Sequence, residues 1–396
     1  MNQRELFLRH VAQTSPAPLA IEVVRADCAT LYDAAGKEYI DLIGGISVAN
    51  IGHRHPKVVE AIRAQTDAYL HVMVYGEMIE SPQVRYATAL AKQLPSTLQS
   101  VYFTNSGTEA TEGAIKLAKR VTGRTKMIAF NQAYHGSTQG ALSLLGDEYF
   151  RNAFRPLLPG ISHFDINTEA AVDAIDGQTA CVIIETIQAE SGIIIPAKNW
   201  MKALRKKCSD TGTLLIFDEI QAGFGRTGSL WGFIRYDVIP DILLLGKALG
   251  GGMPLGAFIS DKKWMDQLTD RPVLGHITTF GGHPVCCAAG LAAFEALLEE
   301  KWIEQVFEKE QLLLAALVHP KIVSVRSAGL WMGVEFASAE ACKKVIDYVL
   351  GKGLLTDWFL FAPHCLRISP PLIIHPEQLK KAAALIIEAC DVVLAQ

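Results

Sequence analysis

Two charged residues stand where buried strands end. Lys247 closes the apolar run Ile242-Leu243-Leu244-Leu245-Gly246 and opens Ala248-Leu249-Gly250-Gly251-Gly252, while Asp218 closes Leu214-Leu215-Ile216-Phe217. They lie about thirty positions apart, roughly one strand-to-strand crossover, so one amine and one carboxylate reach the same edge of a sheet. In an open α/β sheet that edge is the ligand crevice. An amine partly withdrawn from water there keeps a nucleophilic neutral fraction that condenses with a carbonyl, which is what a Schiff-base lysine requires. Read alone, Asp218 is more simply a helix N-cap after a strand.

Asn105-Ser106-Gly107-Thr108-Glu109 follows the run Val101-Tyr102-Phe103, and Ala110, Ala114, Leu117 and Ala118 then repeat with helical spacing. A small-residue turn that opens a helix offers free N–H groups and the positive end of the dipole to a phosphate. An ordinary Ser/Thr cap has the same appearance. Taken with Lys247, these residues point to pyridoxal 5′-phosphate, whose pyridine nitrogen an acid such as Asp218 keeps protonated so that the ring acts as an electron sink. Gln221 then bonds the ring's phenolic oxygen, or is a core amide. Gly250-Gly251-Gly252 fits close backbone approach to a bulky ligand. It is no nucleotide loop, because Gly246-Lys247-Ala248 lacks the Ser/Thr and upstream spacing of a P-loop, and no GxGxxG follows a first strand. His53-Arg54-His55 has no carboxylate or thiol to complete a metal site, and none is expected.

The elements that must carry these residues read as α/β. From about residue 100 to 290, short buried runs alternate with helix-periodic segments, which argues a mostly parallel sheet covered on both faces. Thr30 to Asp33 and Tyr39 to Asp41 flank Ala35-Gly36-Lys37 as a hairpin. Beyond about residue 290 come a helix-like run from Ala288 to Glu300, short strands near Val323-Val325, Gly333-Phe336 and Cys365-Ile368, and a closing helix from about Pro376. The expected limits are 1–50, an N-terminal segment contributing to a small domain; 51–287, a large cofactor-binding domain; and 288–396, a small α+β domain.

The chain has 396 residues, half of them apolar, with formal net charge −4. Its scattered basic residues exclude a nucleic-acid partner and its apolar stretches are too short for a bilayer. Eight cysteines without CxxC spacing fit free thiols in a reducing compartment, and no targeting signal is visible, so a cytoplasmic location is expected.

The stretch from Leu214 to Gly256, with Phe-Asp-Glu-Ile-Gln-Ala-Gly-Phe-Gly-Arg-Thr-Gly and Leu-Leu-Leu-Gly-Lys-Ala-Leu-Gly-Gly-Gly, resembles class III pyridoxal-phosphate-dependent aminotransferases of fold type I, in the ornithine and acetylornithine branch. The resemblance runs over nearly the whole length. It implies a large domain with a mostly parallel seven-stranded sheet flanked by helices, a smaller α+β domain, and transfer of an amino group, the ω-amine of an amino acid, to a 2-oxo acid by a ping-pong route. It implies that Lys247 carries the cofactor and shuttles the proton, Asp218 holds the pyridinium, and Ser106, Gly107 and Thr108 bind the phosphate. Thr279 joins them from the neighbouring subunit, since relatives build shared sites in a homodimer. Tyr134 of Tyr-His-Gly stacks on the ring face, although a plain core tyrosine fits the same sequence. Glu185 and Glu190 fall in the family's Glu-x-x-Gln-x-Glu segment. In similar enzymes a glutamate such as Glu190 masks an arginine such as Arg367 while an ω-amine reacts, and releases it to dock an α-carboxylate; a surface ion pair is the other reading.

Three positions depart from the family pattern. His135-Gly136-Ser137 replaces His-Gly-Arg, Ile46 replaces an aromatic, and Gly282-His283-Pro284 replaces Gly-Asn-Pro. Without the arginine that holds a distal carboxylate, either Arg151, Arg155 or a partner residue substitutes for it, or the donor is a diamine, a β-amino acid or another ω-amino acid. Aminomutase or racemase chemistry, and a cofactor-binding protein kept for regulation, remain rivals.

Overall fold

The computed structural model describes residues 2–394; Met1, the head of the expected N-terminal segment, and residues 395 and 396, the foot of the C-terminal one, lie outside the described residues. Its central sheet has seven strands in the order Ser100–Thr104, Gly256–Ser260, Ile242–Leu245, Leu214–Asp218, Thr179–Glu185, Lys126–Phe130 and Ile161–Phe164. Neighbours are parallel except Gly256–Ser260, which runs against both of its partners.

The continuous apolar runs follow from cover on both faces. Val182, Ile184, Leu215, Phe217, Leu243 and Leu245 face one apolar cluster, and Cys181, Ile183, Leu214, Ile216, Ile242 and Leu244 face the other. This is the period of two that alternates side chains across a strand. The crossover helices Gly107–Thr122 and Lys198–Thr211 both end on left-handed glycines, Gly123 and Gly212, which close the last carbonyls without a Cβ penalty.

The hairpin forms as read, with Thr30 opposite Ile40. Its outer strand Glu38–Asp41 pairs in parallel with Leu354–Leu355, from the other end of the chain. A further antiparallel sheet orders Ile322–Ser327, Met332–Phe336, Ala362–Ile368 and Trp358–Phe359. Helices Val306–Ala316 and Ala339–Gly351, which the sequence reading did not separate, pack against the closing helix Pro376–Val393. The helix expected from Ala288 begins at Pro284 and runs to Glu299, capped by His283, so the expected limit at 287–288 falls inside it. It packs on helices Pro56–Ala68 and Ser81–Lys92 of the preceding segment. Among the described residues no helix is long and apolar enough to cross a membrane. All eight cysteines are free, and only Cys28 is exposed.

Candidate active site

The parallel strands deliver their carboxyl ends to one edge. In register, Glu185 lies beside Asp218 and Asp218 beside Leu244, one turn before Lys247. Tyr134 and His135 follow the end of Lys126–Phe130, and Gly107 and Thr108 follow Ser100–Thr104. Around this edge lies a cavity of about 270 Å³, lined by Gly107, Thr108, Tyr134, Glu185, Glu190, Asp218, Gln221 and Lys247 among others.

Asp218 caps a turn with one carboxylate oxygen and meets a buried histidine with the other. Its Oδ1 accepts the Ile220 N–H at 2.9 Å, a turn cap, and its Oδ2 lies 2.7 Å from His135 Nδ1. His135 is buried, and its Nε2 has no hydrogen-bond partner. Sequence reasoning assigned His135 no role; its place beside Tyr134 was the available signal. Glu185 accepts the Tyr134 and Ala189 N–H groups, each at 3.0 Å, and so holds the backbone that presents Tyr134. Burial, with the charge of Asp218 adding to it, pushes the Glu185 carboxyl up to about 7 against those N–H bonds and His135.

Lys247 has a positive φ of 49°, an uncommon conformation for a side chain with a Cβ and one that concentrates at functional sites. Its Nζ reaches Gln221 Oε1 at 3.4 Å, and the Gln221 amide donates to Ser47 Oγ at 3.3 Å. Burial lowers the Lys247 amine below its ordinary value, against the charges of Asp218, Glu190 and Glu185. A neutral, nucleophilic fraction is therefore favoured. Ser47 closes an unexpected turn: Gly44, Gly45, Ile46 and Ser47 all have positive φ, between 56° and 64°. Asp41 holds its entry by accepting the Ile43 and Gly44 N–H groups at 2.8 and 2.9 Å.

Ser106 is the N-cap of Gly107–Thr122, its Oγ accepting the Glu109 N–H at 3.3 Å, and it stands behind the cavity lining rather than in it. Gly107 and Thr108, first in the helix, have N–H groups without intrahelical partners at the cavity wall. Thr108 Oγ1 lies 2.7 Å from Thr138 Oγ1, which bonds Glu112. Gly136 passes so close that a Cβ there, at φ +128°, would sit 2.2 Å from Thr108 Oγ1. An amine, an acid, an aromatic side chain and open N–H groups around a cavity of this size match the aldehyde, pyridine nitrogen, ring face and phosphate of pyridoxal 5′-phosphate.

Glu190 and Arg367 form a buried pair, not a surface one: their residues are 8% and 3% exposed. Nη1 and Nη2 donate to the two Glu190 oxygens at 2.9 and 2.8 Å. Burial opposes ionisation of Glu190, but Arg367, with the Leu360 N–H, holds its carboxyl below the usual range. Arg367 Nε donates to Asp357 Oδ1 at 2.8 Å, a partner the sequence reading missed.

Ser137 Oγ lies 2.9 Å from the Tyr134 hydroxyl. Neither proposed substitute for the absent arginine comes to it. Arg151 and Arg155 both bind Glu148, and Arg151 also reaches the Leu145 carbonyl and His163, away from the cavity lining. Thr279 is exposed and outside its own chain's cavity; its carbonyl accepts a bond from His71 at 2.8 Å.

Comparison with known proteins places this geometry. Residues 11–390 match the family Aminotransferase class-III. The chain is 40% identical over 394 residues to an acetylornithine aminotransferase of Methanopyrus kandleri, covering 98% of this chain and 99% of that one. It is 36% identical to a LysW-aminoadipate semialdehyde/glutamate semialdehyde transaminase of Sulfolobus acidocaldarius, over 92% and 93% of the two chains. Among solved structures, an ornithine aminotransferase from Toxoplasma gondii with pyridoxal phosphate at partial occupancy superposes with a TM-score of 0.90 at 30% identity, covering 99% and 94%. A transaminase from the marine bacterium Virgibacillus superposes with a TM-score of 0.92 at 26% identity, covering 99% of each chain. The chain therefore belongs to the class III aminotransferases, pyridoxal-phosphate-dependent enzymes that move an amino group from an amino donor to a 2-oxo acid.

Proposed function

We propose that this aminotransferase takes the ω-amine of an amino acid, of the ornithine or acetylornithine type, and passes it to a 2-oxo acid that docks its α-carboxylate on Arg367. The observation that carries the reading is the bidentate, buried Glu190–Arg367 pair at the cavity wall. An ω-amine donor meets Glu190 in place, whereas an α-carboxylate takes the two guanidinium nitrogens that Glu190 covers.

Pyridoxal phosphate supplies an electrophilic carbon and an electron sink for the electrons left when a substrate carbon loses its proton. Lys247 holds the cofactor through its Nζ and afterwards moves the proton, its lowered basicity suiting both tasks. Asp218, oriented by His135, keeps the ring nitrogen protonated. Gln221 bonds the phenolic oxygen, and Tyr134, fixed by Glu185, covers a ring face. Gly107 and Thr108 hold the phosphate with the N-terminus of their helix, Ser106 shaping the turn behind them.

We further read the active form as a homodimer in which Thr279 completes the partner's phosphate site. Near Thr279 in the chain, Val273, Leu274, Ile277 and Phe280 leave apolar side chains 47% to 70% exposed, and such exposed apolar side chains support this reading. Free cysteines support a cytoplasmic setting.

One observation favours a second reading of the donor. Lys247 is the single Lys or Arg among the described residues lining the cavity, and it feels the charges of Asp218, Glu190 and Glu185. A donor without a distal carboxylate, such as a diamine, fits such a wall. The test is a panel of N-acetylornithine, ornithine, lysine, 4-aminobutyrate, β-amino acids and diamines, each given alone to the holoenzyme and followed by loss of the cofactor's visible absorbance. Preference for N-acetylornithine and ornithine supports the first reading; turnover of diamines alone replaces it with the second. Borohydride reduction and peptide mapping must fix the cofactor at position 247, and a label elsewhere refutes both.

A further inference from the structure

Arg367 is held by two carboxylates, and only one of them is tied by backbone bonds to the sheet that carries Arg367. Glu190 sits on the loop after the strand Thr179–Glu185 and covers the Nη1 and Nη2 edge. Asp357 takes Nε. The Arg367 N–H donates to the Asp357 carbonyl at 2.8 Å, Trp358 pairs with Leu366, and the Thr356 hydroxyl bonds the Arg367 carbonyl. Asp357 is thus positioned by the backbone ladder that positions Arg367. The same short segment supplies the Trp358 carbonyl to Nη2 at 3.2 Å and the Phe359 ring 4.5 Å from the guanidinium carbon.

A guanidinium offers its donors in a planar fork, so what happens at Nε sets where the outer edge points. Glu190 is itself part of the cavity lining, so the edge it covers is the one facing substrate. When Glu190 withdraws, its two bonds go, and the bond to Asp357 is the remaining ionic tether.

We propose that Asp357 is a positioning residue that keeps the Nη1 and Nη2 edge of Arg367 aimed into the cavity after Glu190 leaves, so that an α-carboxylate finds it in place. This rests on the reading of Arg367 as the carboxylate dock. Its consequence is one-sided. The half-reaction with the ω-amine, in which Glu190 still holds the arginine, proceeds without help from Asp357; the half-reaction with the 2-oxo acid depends on it.

The experiment measures the two half-reactions separately on holoenzyme, by the cofactor's absorbance, with pyruvate and 2-oxoglutarate as acceptors. Asp357→Ala is expected to raise the half-saturating acceptor concentration about tenfold or more, the scale of a hydrogen bond to a charged group, while the ω-amine half-reaction stays within about twofold. Asp357→Asn keeps an oxygen acceptor for Nε and is expected to restore most of the loss. In a Glu190→Ala background the ω-amine half-reaction should become sensitive to Asp357→Ala as well. Equal losses in both half-reactions of the single variant, or no rise in half-saturation, overturn the proposal. Arg367→Lys separates the two possible failures. If it leaves acceptor saturation unchanged, the reading of Arg367 itself falls; if it weakens saturation and Asp357→Ala does not, only the role of Asp357 falls. Should Asp357→Ala fail to fold, Asp357→Ser is judged by the same criteria.

Discussion

Replacing Glu190 by Gln keeps the shape of the side chain and removes the charge that occupies Arg367. In the resting site two charge-assisted bonds, 2.9 and 2.8 Å long, must break before an α-carboxylate can take the same nitrogens. An amide presents one oxygen to the fork and turns its NH2 against the other guanidinium nitrogen. One bond is therefore lost outright, worth about 1.5–3 kcal/mol for a charged partner. That difference corresponds to about a 10- to 150-fold change in relative specificity. The variant should favour glutamate over the ω-amine donor by this factor, read as the ratio of kcat/KM for the two half-reactions in stopped-flow absorbance. Asp357 keeps Arg367 from being left as an unpaired buried charge, so the variant should fold and bind cofactor. An unchanged ratio would refute a competition between Glu190 and the carboxylate, and so the account of dual substrate use.

Ser137→Arg would place a cation beside the Tyr134 hydroxyl, and donors with a distal carboxylate should gain about tenfold in kcat/KM over diamines in parallel donor assays. Gly136→Ala would force a Cβ onto Thr108 Oγ1 in a left-handed backbone, costing about 1–3 kcal/mol; thermal melting with and without cofactor should show lower stability and weaker stabilisation by the ligand. Lys309, buried against the Leu372 carbonyl, has its amine lowered from 10.5 to about 8 by burial. Because the unfolded chain binds more protons between those values, stability should rise by on the order of 3 kcal/mol as pH climbs from about 8 to 10.5, and this contribution should be flat below and above that window. Urea melts across that range should show a flatter profile for Lys309→Met; identical profiles would deny that burial governs this amine.

Lys247 and Asp218 were legible because strands covered on both faces write themselves as unbroken apolar runs, so a charge at the end of such a run is conspicuous. The helix opened at Gly107 was legible from its spacing and small-residue turn. What joins these residues across the sheet was not. His135 reaches Asp218 from a neighbouring loop 83 positions away, and Asp357 reaches Arg367 through ladder register, neither of which has a local pattern. The reversed direction of Gly256–Ser260 left no trace either, since an apolar strand reads alike in both senses. The turn at Gly44–Ser47 was hidden for another reason: Ile46 and Ser47 adopt positive φ against their intrinsic preference, held by Asp41 and by tertiary contacts.

The parallel pairing of Ile40 with Leu354 makes assembly of the molecule a late event. During synthesis the strand Glu38–Asp41 leaves the ribosome well before its partner, so its outer hydrogen-bonding edge stays open until Leu354, more than 300 positions further along, has emerged. The hairpin can form on its own schedule, but its final neighbour must be recruited across an intervening chain that has meanwhile begun to collapse. A prematurely terminated product would carry a sticky β-edge with nothing to seal it, a hazard in aggregation rather than in catalysis.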